Sequence, residues 1–385
     1  MKANFFMPKY MSIFKCIGPE CTDTCCAGWD INIDEVTLKK YENSNGKLKE
    51  IVKGKYIKSE NLDDSFNYGF MVITQDKKCP FLKNDLLCEI HGKCGEENLS
   101  ITCKRYPRVF NIIDDVYEKS GIPSCEEVCY KAFLNKEKME FIEAEEELDE
   151  ETIEIRRVID TDAFIDSDSL IQYFWDIRVS SINIMQNRNY SIEERLLILK
   201  SFYEKLEYLK KEDNFYAIEE LLEEINEDPS NISSIIKDID YTPFNFNRNF
   251  FNLILNEDLS NKVIGDRLKA FLTSLKREKN LISESLNDDK LERLDITLTN
   301  HSYIFENYLV NQIFKDIIPF NKGENLKKSI KVLINTYRLI KGYLILLYTS
   351  SKKEISKYEI IHIIQALSKD IEHNKVFKNI LEIDN

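Results

Sequence analysis

Beyond Cys129 the chain has no cysteine: all ten lie between Cys16 and Cys129, and the other two-thirds of its 385 residues carry none. That absence excludes disulfides, thiolate metal sites and cysteine nucleophiles from the larger part, which must fold by burying apolar side chains. Glycine and proline are scarce too, at 11 and 8, and eight of the glycines and five of the prolines precede residue 130. Histidine is limited to His91, His301, His362 and His373. Met1 to Lys9 has no apolar run of signal-peptide length, and the most apolar later segment, Tyr343 to Tyr348, is far too short to span a bilayer. These absences predict a cytoplasmic protein with no membrane partner, in which thiols stay reduced and dense cysteines hold metal more readily than they bridge each other.

Several familiar sites are missing as well. No G-x-G-x-x-G follows a strand to cradle a dinucleotide or a methyl donor, and neither a P-loop nor H-E-x-x-H occurs. The ferredoxin spacing C-x2-C-x2-C and the paired C-x2-C knuckles of zinc ribbons are absent. The C-x3-C-x2-C of radical S-adenosylmethionine enzymes fails at both possible places, where Gly28 and Ala132 stand instead of the third cysteine. A balance of 53 basic against 67 acidic residues, net −14, repels phosphate and disfavours nucleic acid, while tolerating a lysine-bearing protein partner.

What is present divides near residue 130. The first part, 1–135, reads as a small, irregular, cysteine-rich domain that binds a metal or a cluster and contains short strands at Ile31 to Asp34, Phe66 to Thr74 and Val109 to Tyr117. Residues 136–160, with the run Glu143 to Glu151, read as an acidic linker or solvated helix face. Residues 161–385 read as a larger all-helical domain, so the fold class is mainly α. A helical pattern begins at Leu170, and Ser191 with Glu194 predicts a capping box ahead of Arg195 to Leu209. Further helices are expected at Asn214 to Ile225, Lys262 to Lys276, Tyr303 to Ile317, Leu326 to Leu347 and Ile355 to His373, with strands confined to the first third.

The cysteines form clusters: Cys16, Cys21, Cys25 and Cys26; then Cys79, Cys88, Cys94 and Cys103; then Cys125 and Cys129. Thiolates on short loops suit a soft metal, because each can turn its sulfur toward a common centre about 2.3 Å away. Adjacent Cys25 and Cys26 cannot both readily face one way on an extended chain, which points to two edges, two centres, or packing of one of them. Zinc would take four sulfurs, or three with a histidine such as His91, whereas a 4Fe–4S cluster would take four cysteines in a shielded pocket. Spacing leaves both open. His362 and His373 lie on an apolar helical pattern and read as partly buried polar residues.

The segments Cys25-Cys26-Ala27-Gly28-Trp29-Asp30-Ile31-Asn32-Ile33-Asp34, Cys79-Pro80-Phe81-Leu82, Leu87-Cys88-Glu89-Ile90 and Thr102-Cys103-Lys104-Arg105-Tyr106-Pro107-Arg108 resemble the bacterial flagellin lysine-N-methylases. Those share a cysteine motif with the wider CxxCxxCC group of zinc- or iron-chelating proteins; here the spacing is the longer C-x4-C-x3-CC. Phe305 to Asn311 and Ile363 to His373 are similar to the helical half of the same family. The resemblance implies transfer of a methyl group from S-adenosylmethionine to lysine side chains of flagellin, with an iron–sulfur cluster, 4Fe–4S or alternatively zinc, in the N-terminal part. The ligands expected on that basis are Cys16, Cys21, Cys25, Cys26, Cys79, Cys88, Cys103 and Cys125, with Cys94 and Cys129 matching the motif least well.

Methylation of lysine by direct displacement needs a neutral amine, a desolvating channel and an aligned sulfonium. Glu306, Asn307, Tyr308 and Glu372 are the catalytic candidates, by resemblance of their segments; caps and interhelical hydrogen bonds are their structural alternative. The competing expectation is a non-enzymatic zinc- or iron-binding or redox protein whose helical half docks a partner.

Overall fold

A computed structural model describes residues 2–27, 30–60, 64–76, 78–148, 153–165, 167–229, 235, 288–351, 353–373 and 381–382. The helix expected at Lys262 to Lys276 lies outside the described residues.

Two sheets organise the first 160 residues. The larger has five strands in the order β7-β1-β6-β5-β8, and the smaller has three in the order β2-β4-β3. Their ranges are β1 Lys2–Pro8, β2 Asn32–Ile33, β3 Tyr56–Lys58, β4 Gly69–Met71, β5 Arg108–Ile113, β6 Val116–Gly121, β7 Phe141–Glu147 and β8 Ile155–Ile159. Strand β1 runs parallel to β6, with Phe5 opposite Tyr117, and antiparallel to β7, with Phe5 opposite Ala144. The segment expected as one strand from Val109 to Tyr117 is a hairpin. Asp114 and Asp115, at φ 49° and 64°, make the tight turn that short polar side chains tolerate. The Asp114 carboxylate then accepts from Thr161 N at 2.6 Å, Thr161 Oγ1 at 2.8 Å and Trp175 Nε1 at 2.7 Å, tying the hairpin to the chain between Thr161 and Trp175.

The acidic stretch expected as linker or helix is strand β7, and β8 comes after it. The alternation behind its run of charge decides this. Glu143, Glu145 and Glu147 are exposed, while Ile142, Ala144 and Glu146 are half-buried and Leu148 is buried. Lys119 of β6 pairs with Glu146, giving the one inward carboxylate a partner. Strands are therefore not confined to the first third, and β9 at Asn321–Glu324 interrupts the part expected to be all-helical.

Short helices α1 (Lys9–Ser12), α2 (Glu35–Glu42), α3 (Gly46–Val52), α4 (Glu89–Cys94), α5 (Ile101–Arg105) and α6 (Glu126–Phe133) decorate the sheets. Longer helices stand at α7 (Phe174–Met185), α8 (Ile192–Lys211), α9 (Phe215–Glu227), α10 (Asp288–Asn300), α11 (Ser302–Lys315), α12 (Leu326–Ser351) and α13 (Lys357–His373). The expected capping box on α8 forms: Glu194 N donates to Ser191 Oγ at 3.3 Å and Ser191 N to Glu194 Oε2 at 2.7 Å. Such a cap stabilises a helix by about 1 kcal/mol. Helix α13 starts the same way, Glu359 N donating to Ser356 Oγ at 3.3 Å and Ser356 N to Glu359 Oε2 at 2.7 Å. No described helix is long and apolar enough to cross a membrane.

Buried apolar side chains fall into two clusters. The large one runs from Phe5 through the five-stranded sheet and the long helices to Leu381. The small one, built on Ile31, Ile33, Leu38, Tyr41, Phe81 and Ile90, includes Cys79, with Cys26, Cys88, Cys94 and Cys103 packed on it. At about 1.5–3 kcal/mol per fully buried large apolar side chain, the large cluster dominates the driving force. At its centre Arg178 of α7 is buried against Glu118 of β6, its guanidinium 4.6 Å from the Phe174 ring centroid and 4.9 Å from that of Phe314.

Candidate functional site

All ten cysteines are described, and none is in a disulfide. Local structure explains how distant ones meet. An isolated bridge joins Ala27 to Lys78, and Cys79 N donates to Cys26 O at 2.8 Å, placing the first two cysteine loops side by side. A second bridge pairs Leu82 with Cys88, closing a small loop between Cys79 and Cys88. Buried Asp34 supplies the third link: it accepts from Thr37 N at 2.8 Å, capping α2, and from Ile101 N at 2.9 Å at the start of α5, which carries Cys103.

The thiols of Cys26, Cys79, Cys88 and Cys103 feel one another electrostatically in every pairing. Burial, then the neighbouring sulfurs, pushes Cys103 up to about 12 and raises Cys79 and Cys88 as well. Cys25 donates to Cys26 and is held protonated, whereas Cys26 is drawn toward thiolate by that bond, by Thr24 and by the Lys369 ammonium, against its burial.

On the other side of Cys25 the surroundings differ. Buried Glu126, first residue of α6, accepts from Thr22 N at 2.7 Å, Thr22 Oγ1 at 2.6 Å, Tyr130 Oη at 3.1 Å and Cys21 Sγ at 3.3 Å. Burial and that bond push Cys21 up to about 12. Cys125 immediately precedes Glu126 and is pushed up to about 11, chiefly by burial, with exposed Cys16 adding to it. The loop is clamped by α13. Lys369 Nζ lies 3.0 Å from Asp23 Oδ2 and donates to Thr24 O at 3.1 Å, while Gln365 Nε2 donates to Asp23 Oδ2 at 3.2 Å. Asp23, Gln365 and Lys369 are not among the expected site residues; Gln365 and Lys369 stand four apart within the segment that resembles the family, and their partners lie more than 340 residues away.

Burial first, with neighbouring charges adding to it, raises the thiols of Cys21, Cys79, Cys88, Cys103 and Cys125, a penalty on the thiolate that a soft cation would offset, so their chemistry fits zinc or an iron–sulfur cluster. Among the described residues no group of three or more Cys, His, Asp or Glu is already drawn together tightly enough to hold a metal ion. Cys129 is fully buried in the large core, its thiol donating to Pro123 O at 2.9 Å, and its N–H donates to Cys125 O at 3.1 Å one helical turn back. His91 and His362 are exposed, the latter against the expectation of partial burial, because it stands on the outer face of α13.

The three catalytic candidates whose side chains are described, Glu306, Asn307 and Tyr308, each have partners of their own. Buried Glu306 is held by two arginines, Arg188 Nη2 at 2.9 Å and Arg195 Nη1 at 2.8 Å, the latter buried as well. Asn307 Nδ2 donates to Asn135 O at 2.8 Å. Tyr308 is buried edge-on to Phe133, with ring centroids 5.7 Å apart. Glu372 falls in the last turn of α13, and its side chain lies outside the described residues.

The "Flagellar biosynthetic protein FliU" of Salmonella muenchen is 29% identical over 123 residues, covering 31% of this chain and 72% of that protein. The "Lysine-N-methylase" of Salmonella typhimurium is 30% identical over 121 residues, which is 31% of this chain and 30% of the relative. The matched part therefore spans under a third of that lysine-N-methylase. No solved structure matches. Residues 178–383, more than half of the chain and including α13 with Gln365 and Lys369, match the model described as the FliB lysine N-methylase C-terminal domain, and the chain belongs to that family.

Proposed function

We propose that this protein is a lysine N-methyltransferase that uses S-adenosylmethionine to methylate flagellin, with Cys16, Cys21, Cys25, Cys26, Cys79, Cys88, Cys103 and Cys125 holding metal, as a 4Fe–4S cluster or zinc. The observation that carries the reading is the family match over 178–383 combined with the clamp of α13, from that matched region, onto the cysteine loop through Lys369 and Gln365. The names of the relatives supply the reaction and a flagellar setting.

In the reaction the lysine nitrogen attacks the methyl carbon, the carbon–sulfur bond of the sulfonium breaks, S-adenosylhomocysteine leaves, and the nitrogen gives up a proton. The amine must reach the methyl group uncharged, which burial favours by lowering its pKa. Glu306 is saturated by Arg188 and Arg195, so in this geometry it anchors α11 to the turn after α7 and to α8 rather than accepting that proton. A bound iron–sulfur cluster would supply an electron-transfer centre, and zinc a fixed charge that closes the loops. The net charge of −14 suits a lysine-bearing protein surface.

The test is incubation of the protein, purified without oxygen, with flagellin and S-adenosylmethionine, followed by mass spectrometry of flagellin lysines. Methylated lysines that depend on both protein and donor are expected. Metal-loaded protein that binds the donor yet leaves every flagellin lysine unmodified would overturn the assignment.

A further inference from the structure

We infer that the junction of α6 and α13 is an entry subsite for the lysine to be methylated, in which the faces of Tyr130 and Tyr358 hold its side-chain ammonium before it reaches the methyl donor. This rests on the reading of the protein as a lysine N-methyltransferase, and it adds where the substrate lysine first docks and which side chains recognise it.

The two rings stand at right angles. Tyr130, on α6, and Tyr358, in the first turn of α13, have centroids 6.2 Å apart and an interplanar angle of 85°. Perpendicular rings make a corner with two electron-rich faces, the arrangement that receives ammonium and methylated ammonium groups. Both walls reach solvent: Tyr358 is 54% exposed, and Tyr130 is half-buried where it packs on the edge of the large core.

Tyr130 is oriented from behind. Its hydroxyl donates to Glu126 Oε1 at 3.1 Å, and that buried carboxylate also accepts from Thr22 N and from the Cys21 thiol. A phenol that donates to a carboxylate is polarised toward phenolate, which makes its ring a stronger partner for a cation. The same carboxylate sets the corner against the cysteine loop. Helix α13 is held to that junction by Gln365 Nε2, 3.4 Å from Ser124 O, and by Lys369 on Thr24 O.

One wall already carries a lysine ammonium. Lys357 Nζ lies 5.1 Å from the centroid of the Tyr358 ring, so that face is open to a cation of the substrate's own chemistry. Lys357 is the first residue of α13, where the helix dipole disfavours positive charge, and its ammonium is one the substrate's can displace. Lys131, the nearby cation of α6, is engaged by Glu127 at 3.5 Å. Aromatic faces favour the charged amine, whereas methyl transfer needs the neutral one, so the corner serves docking and the reaction takes place further in.

The experiment uses the full chain, purified without oxygen, and reads binding and turnover separately. For binding, Nα-acetyl-lysine methylamide, its Nε-trimethyl form and the uncharged isostere with a tert-butyl group in place of trimethylammonium are titrated in, and contact is followed by saturation-transfer NMR. Both cations should bind and the isostere should not. Tyr358→Leu should weaken the cations about tenfold, Tyr358→Phe should preserve them, and Lys357→Ala should tighten them by removing the resident ammonium. For turnover with flagellin and S-adenosylmethionine, Tyr358→Leu should raise the KM for flagellin by a similar factor with little change in kcat, and Lys357→Ala should lower it. A purely structural role for Tyr358 gives no such gain on removing Lys357. No binding of either cation, equal binding of the isostere, affinity indifferent to Tyr358→Leu, or a fall in kcat at unchanged KM would overturn the subsite. A chain that binds the cations through Tyr358 yet leaves flagellin unmethylated fails the methyltransferase reading and keeps the subsite.

Discussion

Tyr10 Oη donates to Asn311 Oδ1 at 2.5 Å, joining the first turn after β1 to helix α11 across 301 residues of sequence. The same hydroxyl accepts from Gly121 N at 2.9 Å, and Asn311 Nδ2 donates to Gly121 O at 3.1 Å, so strand, turn and helix share one buried polar triangle. Removing the hydroxyl with Tyr10→Phe strands an amide oxygen and a backbone N–H. A loss of about 1–3 kcal/mol is expected, read as a lower urea midpoint with the slope unchanged.

The Asp23 to Lys369 pair is nearly enclosed, with side chains 4% and 10% exposed. Lys369→Met leaves the Asp23 carboxylate in place without its cation, and stability should fall by about 3 kcal/mol. Adding Asp23→Asn to that variant should recover much of the loss. Equal stability of the single and double variants would show that the pair is not what holds α13 to the cysteine loop.

Glu306→Gln separates anchoring from chemistry. With Arg188 and Arg195 both directed at the carboxylate, the variant should lose about 3–5 kcal/mol by thermal or chemical unfolding. Retained stability with abolished methyl transfer would instead assign the carboxylate to the reaction.

Glu193 and Lys341 join α8 to α12 at 2.9 Å, each side chain 22% exposed. Burial alone would raise the carboxyl, but Lys341 and Tyr337 outweigh it and hold Glu193 below its ordinary range. As pH falls, the unfolded chain therefore takes up this proton first. The contribution is complete above about 4.3 and is lost as the pH drops through the folded value. Lys341 mirrors this: burial lowers it, Glu193 and Asp295 raise it more, and its share is present below about 10.4 and lost as pH rises through the folded value. Lys341→Met should remove about 1–3 kcal/mol near neutrality and flatten the acid limb of the stability profile.

Local signals were legible and distant ones were not. The box of Ser191 and Glu194, and the apolar periodicity of α9, α11, α12 and α13, mark helices close to where they stand, because a helix is written within a few residues of itself. Strand β1 went unanticipated because its partners are Tyr117 and Ala144, more than a hundred residues on. In β7 the density of glutamate hid a period of two that Ile142, Ala144, Glu146 and Leu148 carry plainly. The cysteines announced themselves by composition, but the grouping of Cys26 with Cys103 depends on Asp34 reaching Ile101. Glu306 stood out by resemblance, and the arginines that saturate it come from α8 and the turn before it, more than a hundred residues away and out of sight of any local pattern.

The placement of β1 inside its sheet bears on synthesis. At roughly 5–20 residues per second, β1 leaves the ribosome about 5–30 s before the strands that flank it. Through that interval Phe5, Phe6 and Met7 have neither sheet nor core to enter. A chaperone that shields the nascent β1 segment should therefore raise the yield of this protein more than one acting after release.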